Sequence, residues 1–350
     1  MTCYSPLKGY RSAAADPDTR KRGVVFNPLK ALNSTNVLTF PCGKCYGCRL
    51  DRAEAWAIRC VHESQMHEAN SFVTLTFDRE NLPADYSVNV RTFQLFMKRL
   101  RSEVSLPLRY FACGEYGSEN LRPHYHALIN GFDFAEDRKL ERKSEFGPVF
   151  TSDLLAKVWP FGKHEIGHVT FKSARYVAGY IYKKINGEPA ASHYLRTHPD
   201  SGLVVKVEPE FCVQSRRPGI GATWFDKYKD DCFPSDFLVV EGRQVPVPNY
   251  YLRKLEAEQA AASAAAADAA PAAAPGAVAP EPAQAPAPSK FPPSATSFAR
   301  VLTAPKTAVE RIKRERKRKA LPHKWNSAPD RLQVREVIKR SRTRSLHRPL

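Results

Sequence analysis

Two histidines one residue apart, His124 and His126, lie in the segment Arg-Pro-His-Tyr-His-Ala-Leu-Ile-Asn at 122–130. The segment reads as a β-strand, and alternate residues of a strand share a face, so both imidazoles point one way and Tyr125 points the other, towards a core. Glu115 stands nine residues before His124, at the end of another β-forming segment. A short hairpin with Gly-Ser-Glu-Asn at 117–120 as its loop brings that carboxylate beside the imidazoles. A Glu/His/His set leaves coordination positions for a phosphate oxygen, which a divalent ion polarises as a Lewis acid. Carboxylate suits Mg²⁺ or Mn²⁺ and imidazole favours softer ions, so Mn²⁺ is the natural compromise. Taken alone, the pair also fits two strand histidines in ordinary hydrogen bonds.

A second element is Ser-Ala-Arg-Tyr-Val-Ala-Gly-Tyr-Ile-Tyr-Lys-Lys at 173–184. On a helix, Tyr176 and Tyr180 are i and i+4, neighbours on one face about 6 Å apart along the axis. Lys183 continues that stripe with Lys184 alongside, and Tyr182 falls on the opposite side. A phenol ionises near pH ~10, so attack on phosphate requires an electropositive site or a positioned base. A lysine and a metal supply that field and stabilise charge in phosphoryl transfer. The plainer alternative is a tyrosine stripe packed in a core.

Cys42, Cys45 and Cys48 follow a Cys-x-x-Cys-x-x-Cys pattern, and Cys3 completes a tetrahedral set suited to structural Zn²⁺. An iron–sulfur cluster and a chance group of free thiols are the alternatives. The remaining cysteines, Cys60, Cys113, Cys212 and Cys232, read as buried thiols.

The elements that must hold these groups follow from periodicity. Helical spacing covers 50–67 and 92–101, the latter with Phe93, Phe96, Met97 and Leu100 on one side. Strands are expected at 71–77, 108–115, 123–130 and 166–171, a short helix at 153–159, and a helix from Ser173 as N-cap to about residue 185. The order β-α-β-β-α-β-α predicts an α+β fold, helices on an antiparallel sheet, of ferredoxin-like or RNA-recognition type. Boundaries are expected for a Cys-rich segment at 1–50, a main domain at 51–250, an Ala/Pro-rich linker at 256–295 and a basic tail at 306–350. Residues 187–250 show no clear pattern.

The formal net charge is +18, of which residues 306–350 supply +12 from 16 Lys or Arg against 4 acidic residues. The preference for a polyanion is therefore mainly a tail property, and the tail reads as disordered until it meets one. No secretory signal and no apolar membrane span is visible, and clustered cysteines without a signal point to a reducing cytoplasm. No Gly-x-x-x-x-Gly-Lys-Ser/Thr loop is present, so no ATPase is expected.

Together the motifs resemble the HUH endonuclease superfamily. Phe-Val-Thr-Leu-Thr-Phe at 72–77 is similar to its first motif, Pro-His-Tyr-His at 123–126 to its second, and Tyr-x-x-x-Tyr-x-x-Lys at 176–183 to its two-tyrosine third. The finer resemblance, over roughly residues 1–250, is to gokushovirus-type microvirus replication initiators. It includes Pro-Cys-Gly-Lys-Cys-Tyr-Gly-Cys-Arg at 41–49, Cys-Gly-Glu-Tyr-Gly at 113–117 and Ser-Ala-Arg-Tyr-Val at 173–177. The resemblance implies an HUH endonuclease domain at 51–250 in which Tyr176 or Tyr180 attacks the scissile phosphate of single-stranded origin DNA. The tyrosine keeps the 5′ phosphate and frees a 3′ hydroxyl for a host polymerase, with a separate helicase unwinding the duplex. The alternatives are a plasmid-type initiator or relaxase of the same superfamily, and a non-enzymatic zinc-containing binder of single-stranded nucleic acid.

Overall fold

In a computed structural model, the described residues are 3–18, 20–117, 120–144, 147–180, 184–185, 188–198, 201–268, 307–319 and 329–344. The chain divides into two units, residues 249–319 and all the rest.

The larger unit begins with a small antiparallel sheet of β1 (Leu7–Arg11), β2 (Val24–Val25) and β3 (Leu38–Phe40), followed by helix α1 (Tyr46–Ser64). Next come β4 (Asn70–Thr76), α2 (Val90–Val104), β5 (Arg109–Tyr116), β6 (Pro123–Asn130), β7 (Lys139–Ser144) and β8 (Gly147–Thr151). Helix α3 (Asp153–Val158), β9 (His164–Gly167), α4 (Phe171–Gly179), α5 (Glu188–His193), β10 (Leu195–Thr197), β11 (Val204–Lys206) and β12 (Phe211–Gln214) follow. The series closes with α6 (Ala222–Cys232), β13 (Phe237–Val240) and β14 (Arg243–Pro246).

Seven strands form the main sheet in the order β12-β5-β6-β4-β9-β8-β7, with antiparallel neighbours throughout. The fold is thus α+β, with a larger sheet than the sequence pattern implied. One face is buried under α2 and α3, where Phe93, Phe96, Leu100, Tyr125 and Trp159 pack together. The other face receives α1 and α4. Ala53 and Ala57 of α1 and Ala174 and Ala178 of α4 are all fully or almost fully buried in one cluster. Each pair is spaced i, i+4, so each helix offers a small-residue stripe, and small stripes allow close approach of helix to helix and to sheet. Strand β4 shows why the two faces differ. Val73 and Leu75 are wholly buried towards α2, whereas Phe72, Thr74 and Thr76 are half-buried on the α4 side.

Several expectations shift. Helix α4 starts earlier than expected because Thr170, not Ser173, is its N-cap. The Thr170 hydroxyl accepts from Ser173 N (3.1 Å), and the Ser173 hydroxyl accepts from Thr170 N (2.8 Å), a reciprocal capping box. That turn consumes residues assigned to a longer β9, which pairs with β4 only over His164–Gly167. The β7–β8 hairpin is not expected from the sequence, because its Lys-Leu-Glu-Arg-Lys-Ser strand is exposed and lacks apolar alternation. Within 187–250 the short strands are too brief to show a period, yet β12 forms one edge of the main sheet by pairing with β5.

The C-terminal reading is corrected too. Helix α7 (Asn249–Asp268) carries the first part of the expected linker, since alanine is the strongest helix former. In the same unit α8 (Ala308–Lys319) is tied to it by Lys313–Glu256 at 2.6 Å. The tail also contains α9 (Pro329–Arg344), with an internal i, i+4 pair, Glu336–Arg340, at 3.0 Å. Helix α9 sits at the start of α1, where Tyr46 N donates to Glu336 Oε1 (3.3 Å) and the Arg340 guanidinium lies over the Tyr46 ring. The described part of the tail is therefore helical, not disordered. No helix among the described residues is long and apolar enough to cross a membrane.

One buried carboxylate anchors α1. Glu63, 1% exposed, accepts from Arg109 Nε on β5 and from Gly221 N (2.6 Å) at the start of α6. Burial pushes its carboxyl up, but hydrogen bonds from His67, Arg109 and Gly221 outweigh that and hold it below its ordinary value. A depressed carboxyl stabilises the fold above the unfolded-state pKa, and that contribution is lost as pH falls through the folded value. Glu63→Ala should cost about 3–5 kcal/mol in urea unfolding, because it strands the Arg109 guanidinium. The variant should also lose less stability than wild type on acidification below pH ~4. Equal acid sensitivity in both proteins contradicts the assignment.

Candidate metal and tyrosine site

Strands β5 and β6 set three potential ligands in one place. Glu115 pairs directly across from His124, and Cys113 across from His126, so Glu115 and both histidines share the α4 face. His124 Nε2 lies 2.8 Å and His126 Nε2 3.3 Å from the same Glu115 oxygen. Glu115 and His126 are each 3% exposed. Burial pushes the Glu115 carboxyl up, but the hydrogen bonds from the two imidazoles overcome it and hold the group far below the usual carboxylate range.

The other ring nitrogens fix the tautomers. His124 Nδ1 lies 3.0 Å from the Arg122 carbonyl, which can only accept, so Nδ1 carries the proton. His126 Nδ1 lies 2.9 Å from Thr74 Oγ1 on β4. Both Nε2 atoms are thereby turned towards the carboxylate, and outer hydrogen bonds of this kind commonly orient imidazole metal ligands. Two nitrogens and one anionic oxygen converge within a single small space. That donor set fits a divalent ion of the Mg²⁺ to Mn²⁺ type.

Helix α4 lays two phenol rings over these imidazoles. The Tyr180 ring stacks on His126 at 5.6 Å and 11°, and Tyr176 meets His126 edge-on at 5.1 Å. The two tyrosines are themselves 5.1 Å apart, edge to face. Tyr180 is 3% exposed, whereas Tyr176 is half-buried at the mouth of the site. Burial, and then the neighbouring Glu115 carboxylate, push the Tyr180 phenol well above its ordinary value, and its hydroxyl donates to Glu115. Tyr182 and Lys183 lie outside the described residues.

The cysteine cluster forms a separate centre. The sulfurs of Cys3, Cys42, Cys45 and Cys48 all lie within 4.8 Å of one another and are not joined in disulfides. Backbone N–H groups of Tyr4, Cys42 and Cys45 point at Cys45, Cys3 and Cys42 sulfurs respectively, at 3.2, 3.3 and 3.2 Å. Burial pushes the Cys42 thiol up, but the Cys45 and Lys44 amides draw it down to about 7. Burial pushes Cys3 and Cys48 up. Of the other cysteines, Cys60, Cys113 and Cys232 are buried and Cys212 is half-buried.

Sequence reasoning missed Thr74 and Phe72 as parts of the site. Phe72 lies 5.8 Å from the His126 ring and 6.3 Å from Tyr176. Their signal lies in the alternation of β4, which leaves Phe72, Thr74 and Thr76 on the less apolar face. Only the pairing of β4 with β6 puts Thr74 opposite His126.

Comparison with known proteins is consistent in one direction. Residues 70–185, which run from β4 to just beyond α4, match the family model of replication-associated protein ORF2. The chain is 36% identical to replication-associated protein VP4 of Bdellovibrio phage phiMH2K over 262 residues, covering 72% of this chain and 76% of that protein. It is 27% identical to replication-associated protein ORF2 of Spiroplasma virus 4, over 62% of this chain and 68% of that protein. With replication-associated protein ORF4 of Chlamydia phage 1 it shares 26% identity, over 63% and 55% of the two chains. No solved structure matches the chain.

The geometry makes Thr74 an orienting group for His126. Thr74→Val, which keeps the shape and removes the hydroxyl, should weaken Mn²⁺ binding by roughly 10- to 100-fold in calorimetric titration. Glu115→Gln should weaken it further still. Wild-type affinity in Glu115→Gln contradicts the ligand set.

Proposed function

The chain belongs to the family of phage replication-associated proteins, and on that premise we propose that it initiates rolling-circle DNA replication as a metal-dependent, tyrosine-using endonuclease. The observation that carries this reading is the packing of Tyr176 and Tyr180 on His126, beside Glu115 and His124. Glu115, His124 and His126 hold the divalent ion, which when bound polarises a phosphate oxygen and favours charge on the attacking and departing groups.

Every other step belongs to the chain and its substrate. A tyrosine oxygen attacks the scissile phosphorus of single-stranded origin DNA, forming an O–P bond as the bond to the 3′ oxygen breaks. The phenol proton is lost to solvent and the 3′ oxygen leaves as a hydroxyl. The 5′ phosphate stays on tyrosine, so one phosphodiester is exchanged for another and rejoining the strand requires no nucleoside triphosphate. The 3′ hydroxyl then serves a host polymerase, and a host helicase opens the duplex in the cell's cytoplasm. Tyr176, at the mouth of the site, is the first nucleophile. Tyr180, buried and hydrogen-bonded to Glu115, is the second and acts once it is released from that bond. Lys183, three residues further along the sequence, adds positive charge for the phosphoryl transition state.

The cysteine centre holds a structural Zn²⁺ in this reading. A tetrahedral Zn²⁺ with Zn–S bonds near ~2.3 Å separates its sulfurs by about 3.8 Å. The Cys3 and Cys45 sulfurs are 3.9 Å apart, and amide donors aimed at sulfur favour thiolates. Purified protein should carry stoichiometric zinc that Cys45→Ser loses together with thermal stability. Visible absorbance and bound iron would assign the site to an iron–sulfur cluster instead.

The endonuclease reading is tested by incubating full-length protein with labelled single-stranded phage DNA and Mn²⁺, then digesting the denatured adduct to peptides. Wild type should carry the 5′ phosphate on tyrosine. Tyr176→Phe should slow the first cleavage most, Tyr180→Phe should cut but fail to release closed circles, and the double variant should form no adduct. Adduct formation by the double variant contradicts the mechanism.

A further inference from the structure

Beside the tyrosines, the α4 face of the sheet is open. Across it the register sets His126, Thr74 and Glu165 in one transverse row, on β6, β4 and β9. Glu165 is therefore two strand spacings, about 10 Å, from His126. Arg142 of β7 reaches over to Glu165 with a 2.8 Å ion pair, and both are substantially exposed. A cavity lies over this row, lined by Phe72, Thr74, Glu165, Ser173 and Tyr176, with Arg142 at its rim. Its apolar floor is Ile166 and Val149.

We propose that this cavity holds one unstacked base of the DNA strand being cut, from the nucleotide that flanks the scissile phosphate, and that Glu165 selects a base with an exocyclic amino group. The assignment to that nucleotide rests on Tyr176 acting as the nucleophile. The chemistry of the walls chooses the occupant. A phosphate does not suit a cavity whose principal polar group is a carboxylate, whereas a base has a flat π-face and donor-bearing edges. Phe72 is a half-buried ring on the sheet surface, a platform of the kind single-stranded nucleic acids stack upon. An ionised carboxylate such as that of Glu165 only accepts hydrogen bonds. It therefore accepts from the amino group of cytosine or adenine, and finds no such donor on thymine. The ion pair with Arg142 holds the carboxylate in place. Tyr176 lines the same cavity, so a strand joined to its oxygen starts at the cavity wall. The charged, otherwise unexplained β7–β8 hairpin then supplies one side of a substrate pocket.

The test uses the full chain and a random-sequence single-stranded DNA pool, from which bound sequences are enriched and then rescanned with single abasic sites. Wild type should show one position where loss of the base costs roughly 5- to 150-fold in affinity and where thymine is disfavoured against adenine or cytosine. Adduct mapping should place that position next to the tyrosine-linked phosphate. Glu165→Gln replaces an acceptor by a group that both donates and accepts, so it should relax the preference at that position alone, and Arg142→Ala should weaken it. Both side chains are at the surface, so neither change threatens folding. An unchanged preference in both variants overturns the pocket, as does an affinity loss spread evenly over all positions. A single-position preference that responds to Glu165→Gln while no sequence yields an adduct supports the pocket and defeats the tyrosine chemistry.

Discussion

A carboxylate buried among two imidazoles is the constraint around which the site is built. Glu115 is almost wholly removed from water, and an ionised carboxylate there is tolerated only because cationic or hydrogen-bond-donating groups face it. The imidazoles can serve as those groups, but their Nδ1 atoms are directed to the Arg122 carbonyl and towards Thr74. What remains pointing at Glu115 is a pair of Nε2 atoms whose lone pairs can bind a cation when the rings are neutral. A divalent cation satisfies all three side chains at once, and the proton-bearing form of the site is its substitute.

The positioning of the tyrosines depends on something less polar. Helix α4 lies close to the sheet because alanines of α1 and α4 face one another. A bulky residue at Ala174 or Ala178 pushes the helix outward and lifts both phenols from the imidazoles. Capping by Thr170 and Ser173 fixes where the helix begins, and so fixes which residues of its length overlie His126. Glu63 holds the far end of α1 to β5 and α6, so the scaffold behind the site is braced by a second buried carboxylate.

Much of this arrangement was legible in the sequence for reasons of geometry. The two-residue period of a strand puts His124 and His126 on one face whatever the rest of the fold does, and the short connection between β5 and β6 leaves little freedom in register, so Glu115 falls opposite His124. The i, i+4 spacing of Tyr176 and Tyr180 behaves likewise. The close grouping of Cys3 with Cys42, Cys45 and Cys48 depends on the β1–β3 pairing that returns the chain. Thr74 and Glu165 were not legible, because their place in the site comes from which strands become neighbours, and β4 pairs with β9 across a long stretch of intervening chain. The β7–β8 hairpin and β12 were silent for another reason: an exposed charged strand and a four-residue edge strand carry no hydrophobic period. In the tail, charge and the Ala/Pro composition masked helices stabilised by alanine and by Glu–Arg spacing.

The claim that holds the account together is that Glu115, His124 and His126 bind one divalent ion beneath the tyrosines. Crystals of the full-length protein grown with Mn²⁺ and measured at the manganese absorption edge test it most directly. The account expects a strong anomalous peak bonded to the Glu115 carboxylate and to both histidine Nε2 atoms, with the Tyr180 hydroxyl withdrawn from Glu115. Manganese absent from that position at saturating concentration, with Glu115 still hydrogen-bonded to both imidazoles, would contradict it.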